Sequence, residues 1–260
     1  MDRDLVALLG FVLMFVFMAL RVPIGIAMGL TGILGFAALS GAGPALKLLG
    51  QVPLSVLSDY NLSIIPMFIL MGAFSASAGM SRELFAAGIA WLGHRRGGLA
   101  LATVAACGGF AAINGSSVAT AATMTQVALP EMRKAGYDPG LSAGLIAAGG
   151  TLGIMIPPSV IFVLYGIMTE TDITQLFFAG VVPGAIAMLF YSLVIMFVGW
   201  WRPATMPRGP LHGWHERFAT LRNLWATLTL FLVVLGGMYI GVFTATEAAG
   251  VGAVGALAIG

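Results

Sequence analysis

Neutral polar residues interrupt an otherwise apolar part of this sequence. Asn114, Ser116 and Ser117 are followed by Thr120, and no charged residue occurs between Gly98 and Pro130. Inside a bilayer every unsatisfied polar group costs several kcal/mol. These side chains therefore either hydrogen-bond to neighbouring helices or form a coordination shell for an alkali cation or a polar solute.

Residues 149–159 form a second unusual segment, in the centre of a stretch long enough to span a membrane. It contains three glycines and the pair Pro157-Pro158. Glycine costs about 1 kcal/mol and proline about 3 kcal/mol in a helix interior, so the composition predicts an unwound break. Backbone carbonyls freed at such a break coordinate Na⁺ in secondary transporters. A structural kink without a ligand is the alternative.

Composition places these residues in a polytopic membrane protein. Of the 260 residues 59% are hydrophobic and 8% are charged, whereas soluble proteins average about 45–50% and about 25%. Soluble enzymes, nucleic-acid binders and disordered scaffolds are excluded. The single cysteine, Cys107, excludes an intrachain disulfide and a cysteine-based metal site.

Six apolar stretches have about the length of a membrane span, at residues 5–20, 23–39, 62–80, 140–168, 177–200 and 224–242. The stretch 98–129 is also apolar but carries its polar patch in the middle. This pattern favours two half-length helices that meet at a tip, a re-entrant hairpin, over two ordinary crossings. Irregular backbone at membrane depth is tolerated only where it is buried in protein or lines a cavity.

Basic residues give the orientation, because Lys and Arg prefer cytoplasmic loops. With the N-terminus outside, only Arg3 and Lys47 lie outside. The cytoplasmic set is Arg21, Arg82, Arg95, Arg96, Arg133, Lys134, Arg202, Arg208, Arg217 and Arg222.

A Gly-x-Ser-x-Gly motif around Ser142 matches the nucleophile elbow of hydrolases. It opens an apolar helix instead of ending a strand, and no histidine lies within a predicted span. Close packing of small residues accounts for the motif, so an intramembrane serine hydrolase is disfavoured.

Four ordered blocks, at residues 114–120, 129–137, 150–159 and 241–249, resemble the large membrane subunit, DctM, of tripartite ATP-independent periplasmic (TRAP) transporters. The resemblance covers nearly the whole chain. Because members of the family are longer, we expect this chain to be truncated near the opening of a second repeat.

The resemblance implies an all-α polytopic membrane protein with an elevator-type ion-transporter fold, and not an enzyme. The chain would hold the first of two inverted repeats, with a re-entrant hairpin and a broken helix, and the start of the second. The implied divisions are scaffold helices with an interfacial arm at 1–97, the hairpin at 98–130, the broken transport helix at 131–175, further spans with a basic cytoplasmic loop at 176–242, and the second repeat from 243 to 260.

The resemblance also implies Na⁺-coupled import of organic acids, such as C4-dicarboxylates or other carboxylated solutes. The residues implied for Na⁺ are Asn114, Ser116, Ser117, Gly150, Thr151, Gly153, Ile156 and Pro157. Those implied for substrate are Ser116, Ser117, Thr120 and Pro158. No cofactor is expected besides Na⁺ as the coupling ion, and no transition-metal site.

The implied partners are a small four-helix membrane subunit, a periplasmic solute-binding protein, the lipid bilayer and the organic acid, without nucleic acid. The implied location is the bacterial inner membrane, with a periplasmic N-terminus. A stand-alone ion-coupled anion symporter without a binding protein is the alternative. A third possibility is a non-transporting assembly subunit. It would keep the sodium-dependent uptake of the complete protein when bulky apolar residues replace Ser116 and Ser117.

Overall fold

The computed structural model describes residues 3–260, and all regular structure in that part of the chain is helical. It divides into two compact units, one ending at Tyr60 and the other beginning at Asn61. The first unit contains α1 (Arg3–Ala19), α2 (Ile24–Ser40) and α3 (Ala42–Leu57). Helix α2 packs against both α1 and α3.

Helices α1 and α2 correspond to the first two predicted spans. Each has 17 residues, the lower limit of about 17 for crossing a bilayer. The turn between them contains Arg21 in the left-handed conformation, followed by Val22 and Pro23, and Gly41 with φ of 91° separates α2 from α3. Helix α3 was not predicted, because its glycines and prolines do not favour a helix.

The second unit contains the remaining helices. In chain order they are α4 (Ile64–Ser77), α5 (Met80–Leu92), α6 (Gly98–Asn114), α7 (Ser117–Lys134), α8 (Pro139–Gly150), α9 (Leu152–Met155), α10 (Val160–Thr169), α11 (Ile173–Trp201), α12 (Trp214–Asn223), α13 (Trp225–Phe231), α14 (Gly237–Tyr239) and α15 (Ala245–Ile259). A π-helical turn, Leu232–Gly236, joins α13 to α14.

Helix α6 is the centre of this unit. Almost all of its residues are buried, and it contacts α4, α5, α7, α8, α9, α11 and α13. Its alanines and glycines allow neighbouring backbones to approach closely. A Cβ atom on Gly88 of α5, for example, would lie 3.0 Å from the Ala102 carbonyl oxygen of α6.

Three helical stretches in the described chain are long and apolar enough to cross a membrane: Tyr60–Ser77, Pro139–Thr169 and Ile173–Trp201. The bent pair α12 and α13–α14, with an angle of 47°, would make a fourth. Large apolar side chains are exposed along most of α11. A surface of this kind is typical of helices that face lipid.

Three connections that the basic residues predict to be cytoplasmic meet at one end of the second unit. The segment after α11 runs past the α5–α6 turn, where Gly209 donates a hydrogen bond to the Gly93 carbonyl at 3.0 Å. It also reaches the α7–α8 turn, where the Tyr137 hydroxyl donates to the Pro207 carbonyl at 3.2 Å. Helix α12, predicted only as a basic loop, then packs on α5.

Helix α15 packs closely on α4 through small residues. A Cβ atom on Gly252 would lie 2.9 Å from Val234 Cγ2 and would also collide with Met71 Sδ. Gly250, two residues earlier in the same helix, has no such neighbour within 4 Å. Substituting each of the two glycines in turn therefore separates the effect of packing on stability from the effect of helix propensity.

We expect Gly252→Val to destabilise the second unit by about 1–3 kcal/mol, because the added side chain cannot fit between α15, α4 and the π-helical turn. Gly250→Val is the matched control and should leave stability nearly unchanged. Thermal unfolding of the purified variants in one detergent measures both. Equal midpoints for the two variants would contradict the observed packing.

Candidate functional site

Only two residues, Gly115 and Ser116, separate α6 from α7. Gly115 has φ of 64°, in the left-handed region that favours glycine, and ends α6. Ser116 is extended and caps α7, its hydroxyl oxygen accepting a hydrogen bond from the Ala119 N–H at 3.4 Å. The chain therefore reverses abruptly at the polar patch, and α6 and α7 form a helical hairpin.

The second polar segment is a break between α9 and α10. Ile156 and Ser159 are extended, and the Pro157-Pro158 peptide bond between them is cis. The buried Ser159 hydroxyl donates to the Ile154 carbonyl at 2.9 Å. Gly149 and Gly150 are still helical, so the fully non-helical stretch begins later than the glycines suggest.

The hairpin turn and the break contact each other through their backbones. The Val160 N–H donates to the Gly115 carbonyl at 3.2 Å, and a Cβ atom on Gly115 would collide with the Pro158 carbonyl oxygen. A Cβ atom on Gly153 would lie 2.6 Å from the Ser116 carbonyl oxygen. Two segments that are about 40 residues apart in sequence thus lie together beside α6. The hydrogen bond between them gives partners to two backbone groups outside regular helix, as buried backbone requires.

The polar side chains at the tip interact mainly with the hairpin itself. The Asn114 amide nitrogen donates to Thr120 Oγ1 at 3.4 Å, and both residues are buried. The Asn114 side chain also packs directly against Gly72 of α4, because a Cβ atom on Gly72 would lie 2.5 Å from Asn114 Oδ1. Internal hydrogen bonding thus accounts for part of the polar patch, and coordination of an ion or solute by these residues stays a prediction.

Most of the residues predicted to bind Na⁺ or substrate are brought together here. Gly150 contacts the other side of the same turn, since its Cβ would lie 3.2 Å from the Ser117 carbonyl oxygen. The gathered residues are Asn114, Ser116, Ser117, Thr120, Gly150, Gly153 and Pro158.

Three of the residues predicted to bind Na⁺ are not among those gathered at the turn. The exposed Thr151 side chain hydrogen-bonds to the Ala148 carbonyl at 2.6 Å and to the Tyr191 hydroxyl at 2.8 Å, so it faces α11. Ile156 and Pro157 belong to the break, but they line a groove between α6, α11 and α13. Their carbonyls rather than their side chains remain the candidates for coordination.

Sequence reasoning did not single out Gly115, Ser159 or Tyr191. Gly115 could have been recognised, because a two-residue turn between helices requires a residue at positive φ. Nothing in the sequence indicates the Thr151–Tyr191 contact, since it depends on how α11 packs against α9.

The local electrostatics come from helix ends rather than charged side chains. At the hairpin turn the carboxyl end of α6 lies beside the amino end of α7, and the break places the end of α9 before the start of α10. Helix carboxyl ends carry partial negative charge and amino ends partial positive charge. The arrangement therefore offers carbonyl oxygens to a cation and N–H groups to an anion.

Residues 11–260 match the family described as the DctM component of the tripartite ATP-independent periplasmic transporter. This chain belongs to the DctM family. The resemblance seen in the four sequence blocks is thereby confirmed.

Similar DctM proteins are known from several bacteria. The C4-dicarboxylate TRAP transporter large permease protein DctM of Pseudomonas aeruginosa is 45% identical over 195 residues, which are 75% of this chain and 45% of that protein. The protein of the same name from Vibrio cholerae is 39% identical over 250 residues, 96% of this chain and 54% of that protein. The ectoine TRAP transporter large permease protein TeaC of Halomonas elongata is 32% identical over 227 residues, 87% of this chain and 53% of that protein. This chain spans about half the length of these relatives.

Ser142, the residue of the hydrolase-like motif, has a structural role in this DctM chain. It is fully buried, and its hydroxyl donates to the Asp138 carbonyl at 2.8 Å. Asp138 in turn caps α8 by accepting from the Leu141 N–H at 2.8 Å. The motif is therefore the first turn of a capped helix.

We expect Gly115→Ala to be more destabilising than Gly136→Ala. Both glycines have positive φ, which costs an alanine about 1–2 kcal/mol. Only at Gly115 would the new methyl group also meet a backbone carbonyl, that of Pro158, because Gly136 has no such neighbour within 4 Å. Thermal unfolding of both variants measures the difference, and equal losses would show that the turn and the break are not in contact.

Proposed function

We propose that this chain forms part of the large permease of a Na⁺-coupled TRAP transporter that imports an organic acid. The contact between the hairpin turn and the broken helix carries the proposal. It gathers neutral oxygens beside four helix ends, and the chain belongs to the DctM family, whose members described above are large permease proteins. The most similar relatives described above make a C4-dicarboxylate the first substrate to test.

Na⁺ binds to the backbone of the turn and the break in this proposal. Sodium prefers oxygen ligands, and half-helix ends with unwound carbonyls supply them in secondary transporters. The Ser116 carbonyl lies against Gly153, and the Ser117 carbonyl lies near Gly150. No carboxylate side chain occurs in either segment, so neutral oxygens hold the ion.

The carboxylated substrate binds beside the ion, toward the amino ends of α7 and α10. Helix amino ends favour anions because their first N–H groups lack partners within the helix. Ser117 is the first residue of α7, and Val118 next to it is 78% exposed. The bound cation adds to this attraction, so substrate and Na⁺ bind more tightly together than alone.

Transport proceeds by movement of the hairpin and the broken helix as one body, in an elevator-type alternating-access cycle. The direct Gly115–Val160 hydrogen bond couples the two segments, because separating them would leave buried backbone groups without partners. The small four-helix subunit stabilises the scaffold, and a periplasmic binding protein delivers the substrate.

The protein lies in the bacterial inner membrane with its N-terminus in the periplasm. The meeting of the α5–α6, α7–α8 and α11–α12 connections at one end supports this orientation, because basic residues lie in two of these connections and at the end of α7. They are Arg95, Arg96, Arg133, Lys134, Arg202 and Arg208. Lys and Arg are retained on the cytoplasmic side of bacterial membranes.

Uptake of a labelled C4-dicarboxylate into proteoliposomes tests the proposal. The vesicles contain the permease that includes residues 1–260 together with its small subunit, and the binding protein is added outside. We expect uptake to require an inward Na⁺ gradient and to stop when K⁺ replaces Na⁺ or when the binding protein is omitted. Uptake without the binding protein would favour the stand-alone symporter, and uptake without Na⁺ would reject sodium coupling.

We expect Gly153→Ala to raise the Na⁺ concentration for half-maximal uptake by about tenfold or more, because the methyl group displaces the Ser116 carbonyl and a tenfold change corresponds to only about 1.4 kcal/mol. Gly144→Ala, in α8 with nothing within 4 Å of its Cβ, is the matched control and should behave like the wild type. Equal sodium dependence in both variants would remove the Ser116 carbonyl from the ion site.

A further inference from the structure

The junction between α8 and α9 is a weak point in the helical hydrogen bonding that precedes the break. The Thr151 N–H donates to the Ala148 carbonyl at 3.1 Å, and the Ile154 N–H donates to the Thr151 carbonyl at 3.3 Å. Each bond spans three residues instead of the four of an α-helix, and such bonds have poorer geometry. Helix α9 itself has only four residues, so its position depends on contacts from other helices.

Helix α11 provides such contacts along one face. A Cβ atom on Gly184 would lie 2.8 Å from Ile156 Cγ1, and one on Gly180 would lie 2.9 Å from the Met155 carbonyl oxygen. Tyr191 follows Gly184 by about two helical turns, so the three residues share that face of α11. Tyr191 therefore lies beside the start of α9, and the two glycines lie beside its end.

The hydroxyl groups of Tyr191 and Thr151 form a hydrogen bond whose direction is fixed by the available protons. Their oxygens are 2.8 Å apart, and a threonine hydroxyl has a single proton to donate. Thr151 donates that proton to the Ala148 carbonyl at 2.6 Å. Tyr191 is therefore the donor and Thr151 Oγ1 the acceptor, so α11 holds the junction through the Tyr191 hydroxyl.

We propose that Tyr191 is a positioning residue for the ion site, and that the Thr151 side chain transmits its effect instead of binding Na⁺. The hydrogen bond from Tyr191 fixes the start of α9, and α9 holds Gly153 against the Ser116 carbonyl. Loss of the Tyr191 hydroxyl therefore loosens α9 and changes the spacing of the carbonyls at the turn and the break. The consequence for Na⁺ rests on the proposed function, whereas the consequence for α9 does not.

Hydrogen–deuterium exchange of the purified permease that includes residues 1–260 tests the effect on α9. The amides to follow are those of Ile154 and Ile156, which donate to the Thr151 and Leu152 carbonyls. We expect Tyr191→Phe to raise their exchange rate about fivefold, the equivalent of about 1 kcal/mol for one lost hydrogen bond. The amides of α15 should keep their wild-type rates, because α15 and Tyr191 belong to separate buried clusters.

Tyr165→Phe is the matched control for this experiment. Tyr165 lies in α10 and is 56% exposed, and its hydroxyl has no hydrogen-bond partner among residues 3–260. The variant makes the same chemical change as Tyr191→Phe without removing a contact. Its exchange rates should equal those of the wild type throughout.

Thr151→Val separates a positioning role from direct binding of Na⁺. Valine keeps the shape of threonine but accepts no hydrogen bond, and the Ala148 carbonyl retains the Thr151 N–H as a donor. We expect Thr151→Val, Tyr191→Phe and the double variant to raise exchange in α9 by the same factor, because all three remove one interaction. In the proteoliposome assay each should raise the Na⁺ concentration for half-maximal uptake by the same factor, at most about fivefold, with an unchanged maximal rate.

Several results would overturn the proposal. These are unchanged exchange in α9 of Tyr191→Phe, an equal rise in α15, additive effects in the double variant, and unchanged sodium dependence in all three variants. A larger rise in the Na⁺ requirement for Thr151→Val than for Tyr191→Phe would make Thr151 a direct ligand instead. If the wild type takes up substrate without Na⁺, the proposed sodium coupling fails, and exchange in α9 alone decides the role of Tyr191.

Discussion

The structure of the second unit depends on one requirement, that backbone polar groups away from water must have partners wherever a helix is interrupted. The chain interrupts its helices twice in apolar surroundings, at Gly115-Ser116 and at residues 156–159. It meets the requirement by placing one interruption against the other, with the Val160 N–H donating to the Gly115 carbonyl. Neither segment would be stable at this depth if it were exposed to lipid alone.

Such backbone contact is possible only because the surrounding side chains are small. Glycine at positions 115, 150 and 153 removes the methyl groups that would otherwise separate the hairpin from the broken helix. The alanine-rich α6 brings α5, α8 and α11 close in the same way. Close approach of this kind replaces the hydrophobic driving force, which is weak between helices in lipid.

Membership of the DctM family gives these contacts a biological setting, but the fold explains why the site is placed there. The α5–α6 and α11–α12 connections, which each carry two arginines, lie together at one end of the unit and are held by hydrogen bonds such as Gly209 to Gly93. The hairpin turn and the break lie within the apolar helices instead. Charge is thus kept at the ends of the bundle and neutral oxygen in its interior, as expected when desolvating a charge costs more than desolvating a carbonyl.

The order and approximate length of the helices were largely determined by the sequence, because runs of apolar residues and their interruption by glycine, proline and polar residues are local properties. The spans near α4, α11 and α13–α14 and the two interruptions were predicted on this basis. Local patterns did not reveal α3 or α12, whose stability is not evident from composition. Only the tertiary structure decided that Thr151 faces Tyr191 instead of the turn, that Asn114 pairs with Thr120, and that Gly115 meets Pro158. The Asn114–Thr120 hydrogen bond spans only six residues but requires the reversal of the chain at Gly115-Ser116. The other two contacts join segments about 40 residues apart, so they depend on how the helices pack and not on any single stretch of sequence.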